Sequence, residues 1–156
     1  MNNQAIFAAG CFWGIEYAFL QVPGVLDAES GYTGGHTDNP TYTQVCSDTT
    51  GHAEAVRVTF DPEKVSYEAL VRKFFEIHDP TQLNRQGPDV GSQYRSGIFY
   101  LSDEQKEVAE KLKKDFQPQF HPKTIATEIT KAGIFYRAEE YHQRYFEKNP
   151  NAVCHI

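Results

Sequence analysis

The chain has 156 residues, 40% hydrophobic and 23% charged, which suits one soluble domain with a sizeable core. Its formal net charge of −6 lies wholly in the first 56 residues. There Glu16, Asp27, Glu29, Asp38, Asp48 and Glu54 precede the first basic residue, Arg57, an arrangement that argues against nucleic acid or an anionic membrane as partner.

Gln4 to Ala9 is nearly all apolar and reads as a central strand. Gly10 allows a tight turn, and Phe12, Ile15, Phe19 and Leu20 then follow helical spacing, so Phe12 to Leu20 is a helix ended by Pro23-Gly24. Val25 to Tyr32 reads as a second strand. Thr33 to Gly51 shows no helical period and is a long loop, of the kind that usually carries function. From His52 to Phe60 the pattern alternates, with Glu54, Val56, Val58 and Phe60 on one face. Ser66 to Ile77 places Tyr67, Leu70, Val71, Phe74 and Phe75 on one side of a helix. Asp79 to Arg95 is again irregular. Ser96 to Leu101 is a short strand, and Ser102 with Gln105 has capping-box spacing for a further helix. Thr124 to Lys131 reads as a strand and Glu139 to Lys148 as a short helix stopped by Asn149-Pro150. The order β-α-β-β-α-β, with additions, predicts an α+β fold: a ferredoxin-like two-layer sandwich in a single domain, residues 1–156.

Two residues stand out chemically. Cys11 lies at the predicted helix start, where unsatisfied backbone N–H groups favour negative charge, so its thiol should ionise more readily than a free one. The same placement also suits a buried cysteine filling a core gap. Glu54 shares a strand face with apolar side chains, and lost hydration there would keep a carboxyl protonated and able to act as a general acid. A wet glutamate at the strand end fits the pattern as well. Phe12 and Trp13 form an aromatic wall beside the sulfur. The two irregular segments hold Tyr42, His36, Asp48, Asp89, Gln93, Tyr94 and Arg95, and the residues alone do not choose among them.

Cys11, Cys46 and Cys154 are too few for a disulfide scaffold, and their odd number fits a reducing, cytoplasmic setting. Cys46 is expected to be buried and inert. No apolar run reaches transmembrane length, and the N-terminus lacks a basic region, so neither a span nor a secretory signal is expected. The six histidines make no structural zinc spacing with the cysteines, so no metal is expected.

Six stretches together carry a resemblance: Gly10-Cys11-Phe12-Trp13-Gly14, Gly31 to Gly35, Asn39-Pro40-Thr41-Tyr42, Thr50 to Val56, Asp79-Pro80-Thr81-Gln82, and Asp89 to Ser96. The chain resembles the A-type peptide methionine sulfoxide reductases from about Ile6 to Cys154. The resemblance implies reduction of the S-epimer of methionine sulfoxide, free or in proteins, as repair of oxidative damage. It implies Cys11 as nucleophile, Glu54 as proton donor to the sulfoxide oxygen, and Tyr42 and Tyr94 as hydroxyls holding that oxygen. Asp89 would orient the substrate backbone, and Phe12 and Trp13 would receive the S-methyl group. Cys154 would resolve a Cys11 sulfenic acid. With Ile156 as the last residue, thioredoxin is expected to act directly on a Cys11–Cys154 disulfide. No bound cofactor and a monomeric state are expected.

Overall fold

The structure is a computed structural model and describes residues 3–152. Strand β1 (Asn3–Ala9) is the axis of a six-stranded mixed sheet. Its Ala5, Ile6, Phe7, Ala8 and Ala9 are all buried, because β1 has strands on both sides and packing on both faces. Then come α1 (Phe12–Leu20), β2 (Val25–Thr33), α2 (Tyr42–Cys46), β3 (Ala53–Phe60) and α3 (Tyr67–Glu76). The two-residue strands β4 (Arg85–Gln86) and β5 (Asp89–Val90) pair with each other, and a 3₁₀ turn at Ser92–Tyr94 leads into β6 (Ser96–Tyr100). The chain continues through α4 (Asp103–Phe120), β7 (Glu128–Lys131), β8 (Tyr136–Arg137), a 3₁₀ turn at Glu140–His142, and α5 (Tyr145–Lys148). The sheet order is β7-β6-β1-β3-β2-β8, antiparallel throughout except for the β6–β7 pair.

The main core lies on one face of the sheet. Phe12, Ile15 and Phe19 of α1, Leu70, Val71, Phe74 and Phe75 of α3, and Leu112 and Phe116 of α4 meet Phe7, Val56, Val58 and Ile98 there. Phe7 stacks on Phe19 at 4.9 Å and on Phe74 at 5.4 Å, and each fully buried ring contributes about 1.5–3 kcal/mol. The other face carries a smaller cluster, Ile6, Ala8, Ala53, Ala55 and Phe99, covered by Ala132 and Phe135. Ser66 and Ser102 cap α3 and α4 by accepting from Ala69 N–H and Gln105 N–H.

Four sequence expectations need correction. The loop from Thr33 to Gly51 contains α2, whose five residues are too few to show a period. Thr41 and Gln44 fix it with a reciprocal capping box. Asp79 to Arg95 contains the β4–β5 pair, too short to alternate. Of Thr124 to Lys131 only Glu128–Lys131 pairs, and Tyr136–Arg137 adds an edge strand. The single helix expected over Glu139 to Lys148 is broken at Arg144, whose φ of 50° is left-handed. Among the described residues no helix is long and apolar enough to cross a membrane.

Candidate active site

The register of β1 places the site. On one side Phe7 faces Val56, and the same antiparallel register continued by two residues sets Glu54 level with Ala9. On the other side Ala9 faces Ser96, so Tyr94 and Arg95 enter just beyond the end of β1. Gly10, with φ of 99°, turns the chain into α1. Cys11 is the N-cap of that helix, partly exposed, and its carbonyl accepts the first helical bond from Ile15. The thiol therefore stands at the positive end of a helix whose first turn has no acidic residue.

Glu54 is 1% exposed. Its Oε1 accepts the backbone N–H of Phe12 at 3.2 Å, which ties the carboxyl directly to the residue after Cys11. On β3 it faces Tyr32 of β2, also fully buried. Tyr42 reaches the same place from α2, with its ring stacked on Phe12 at 6.2 Å. Burial raises the Tyr42 phenol far above its ordinary range, and the Glu54 charge raises it further. The Cys46 thiol lies close enough to that hydroxyl to add to the upward shift. Tyr94 is raised likewise, by burial first and then by the charges of Glu54, Cys46, Asp89 and Cys11. Both phenols thus keep their protons at working pH and can donate to an oxygen between them. Asp89, half-buried in β5, belongs to the same neighbourhood through Tyr94. Asp48 accepts from both the backbone N–H and the hydroxyl of Ser92, joining the α2 loop to the Tyr94 turn.

Cys46, expected to be buried, is an exposed residue instead. It sits at the C-terminal end of α2, where Val45 is buried in the core and Tyr42 packs against it. Cys154 lies outside the described residues.

Residues 139–145 supply a second layer behind the pocket that no local pattern announces. Glu139 accepts from Tyr32 Oη at 2.8 Å and from Tyr42 N–H at 2.9 Å. Burial raises its pKa, but these bonds and one from its own backbone more than offset that and leave it below the usual carboxylate value. His142 is fully buried and accepts Trp13 Nε1–H at 2.9 Å. Tyr145 stacks on Trp13 at 3.7 Å with planes 6° apart. The only sequence signal for this layer is the density of aromatics in Tyr141-His142 and Tyr145-Phe146, which reads equally as a helix face. Among the described residues no group of three or more His, Cys, Asp or Glu could hold a metal ion.

A cysteine at a helix N-cap, a buried carboxyl bonded to the next residue and two protonated phenols are groups suited to thiol chemistry. The family model for peptide methionine sulfoxide reductase matches residues 3–156. The chain belongs to that family. It is 55% identical to the peptide methionine sulfoxide reductase MsrA of Pasteurella multocida, over 100% of this chain and 90% of that protein. Among solved structures it is similar to reduced Mxr1 from Saccharomyces cerevisiae, with a TM-score of 0.94, 40% identity, and 99% and 89% of the two chains covered. The same yeast protein in complex with Trx2 matches less closely, with a TM-score of 0.67, 30% identity, and 92% and 84% covered. The enzyme therefore reduces methionine sulfoxide.

Proposed function

We propose that the chain, as a single reductase domain, reduces the S-epimer of methionine sulfoxide by direct attack of Cys11 on sulfur, for repair of oxidised proteins and of the free amino acid. The observation that carries this reading is the bond from Phe12 N–H to Glu54, because it brings a buried carboxyl to the first turn capped by Cys11. A sulfoxide is polar at oxygen and apolar at its methyl group. Tyr42 and Tyr94 would hold the oxygen, Phe12 and Trp13 would receive the methyl group, and Asp89 would orient the substrate backbone.

The Cys11 thiolate forms a bond to sulfur while Glu54 gives a proton to oxygen. Oxygen passes to Cys11, methionine leaves, and Cys11 is a sulfenic acid: sulfoxide sulfur is reduced by two electrons and the cysteine is oxidised by two. Cys154 condenses with the sulfenic acid, releasing water and forming a Cys11–Cys154 disulfide. Thioredoxin then exchanges its dithiol with that disulfide, and no bound cofactor takes part. The yeast relative's complex with Trx2 supports this recycling partner. The antiparallel order β6-β1-β3-β2, with α1, α3 and α4 on one face, supports a ferredoxin-like core. We take the enzyme to act in the cytoplasm as a monomer.

The test is an assay with separated epimers of methionine sulfoxide and dithiothreitol. Turnover of the S-epimer alone is expected. Equal turnover of both epimers overturns the pocket assignment, and binding without turnover overturns the enzymatic role of Cys11.

A further inference from the structure

We infer that His142, held as its Nε2–H tautomer, is the positioning residue that fixes the Trp13 indole as a wall of the substrate pocket. The inference rests on the reading of Trp13 as part of the methyl pocket.

An indole N–H can only donate, so the imidazole nitrogen facing Trp13 Nε1 at 2.9 Å, Nδ1, must present a lone pair. The neutral ring therefore carries its proton on Nε2. That second nitrogen is buried and makes no hydrogen bond among the described residues. The imidazole as a whole sits among the rings of Tyr141, Tyr42, Phe12 and Trp13, with centroids 4.0, 4.3, 5.1 and 5.7 Å from its own. As packing alone this is a poor use of histidine. A phenylalanine would fill the same aromatic cage without burying an unanswered N–H, which costs stability. What only histidine contributes is the acceptor at Nδ1.

That acceptor sets the rotation of the indole. Tyr145 stacks flat on Trp13 at 3.7 Å, but stacking leaves a ring free to slide and turn in its own plane. The bond to Nδ1 removes that freedom. Trp13 follows Phe12, whose N–H is bonded to Glu54, so the wall is held in register with the proton donor as well as with Cys11. Burial lowers the imidazole pKa, opposed by the charge of Glu139, and this keeps the accepting form in place.

Trp13 is the only tryptophan of the chain, so a single indole N–H resonance reports on this bond. In His142→Phe that resonance is expected to move upfield and its proton to exchange faster with water, while Tm stays equal or rises. KM for methionine sulfoxide should rise about tenfold, the scale of one lost aromatic contact, with kcat within about threefold. His142→Asn, whose Oδ1 can stand near the position of Nδ1, should restore both the resonance and KM. If His142→Phe fails to fold, His142→Gln, with its amide placed near Nε2, is read with the same expectation. An unmoved indole resonance, an unchanged KM, or a fall in kcat alone overturns the inference. If the wild-type protein reduces no sulfoxide, the reading of the site fails instead, and the resonance still decides whether His142 holds Trp13.

Discussion

Acidification should destabilise this fold through His78 by an amount that can be worked out. His78 follows α3 and is buried; Nδ1 donates to the Phe74 carbonyl at 2.7 Å, so neutral Nε2 accepts from Ser96 Oγ at 2.8 Å. Ser96 Oγ is itself bonded to Thr127 Oγ1 at 2.7 Å. Burial lowers the imidazole to about 4, against weaker opposition from the Phe74 carbonyl and the Asp79 charge. The unfolded chain takes up this proton near 6.5, the folded chain only near 4. Between those values the unfolded state binds more protons, so stability falls as pH falls; above 6.5 the residue adds no pH dependence. The loss works out at about 2 kcal/mol at pH 5 and about 3 kcal/mol well below pH 4. Urea unfolding of wild type and His78→Gln at pH 7.5 and pH 5 isolates it, because both proteins share the other titrating groups. Wild type should lose about 2 kcal/mol more than the variant over that interval. Equal losses in the two proteins would show that His78 does not carry this pH dependence.

Cys154→Ser should complete one turnover and then stop under thioredoxin, with the Cys11 sulfenic acid trappable by dimedone. Cys46→Ser should keep cycling, since Cys46 is exposed at the end of a short helix and serine fits there without strain. The reverse pattern in that pair of assays would move the resolving role to Cys46. Gly31→Ala should cost about 1–3 kcal/mol in chemical denaturation and lower kcat/KM. A Cβ there would collide with the Phe135 ring and with the Tyr136 carbonyl, pushing β8 and then Glu139 away from Tyr42. Wild-type stability and activity in that variant would show that β8 does not position the site.

What the sequence made legible was whatever depends on local pattern. Apolar run, Gly10 and helical spacing put Cys11 at a helix start, where the structure has its N-cap. Alternation put Glu54 on the face of Val56, Val58 and Phe60 but left a wet strand end open, and its 1% exposure decides for the buried reading. The element succession fixed a mixed α/β chain, while strand pairing needed the three-dimensional register. Tyr42, Tyr94 and Asp89 could be singled out only through family resemblance, because nothing in a polar loop marks which hydroxyl points inward. Glu139, His142 and Tyr145 escaped altogether. Each acts across about a hundred residues of chain, on Tyr42 or Trp13, and no local period encodes such a contact. Arg144 hid them further, since its left-handed turn splits what reads as one helix.

Glu54 is proposed to protonate the sulfoxide oxygen as Cys11 attacks sulfur. The most direct measurement is single-turnover formation of the Cys11 sulfenic acid, followed by mass after rapid quenching, in wild type and Glu54→Gln at saturating methionine-(S)-sulfoxide, with Cys11→Ser as the blank. Glu54→Gln should bind the substrate but form the sulfenic acid about 10²–10⁴-fold more slowly. Formation at the wild-type rate would rule out Glu54 as the proton donor.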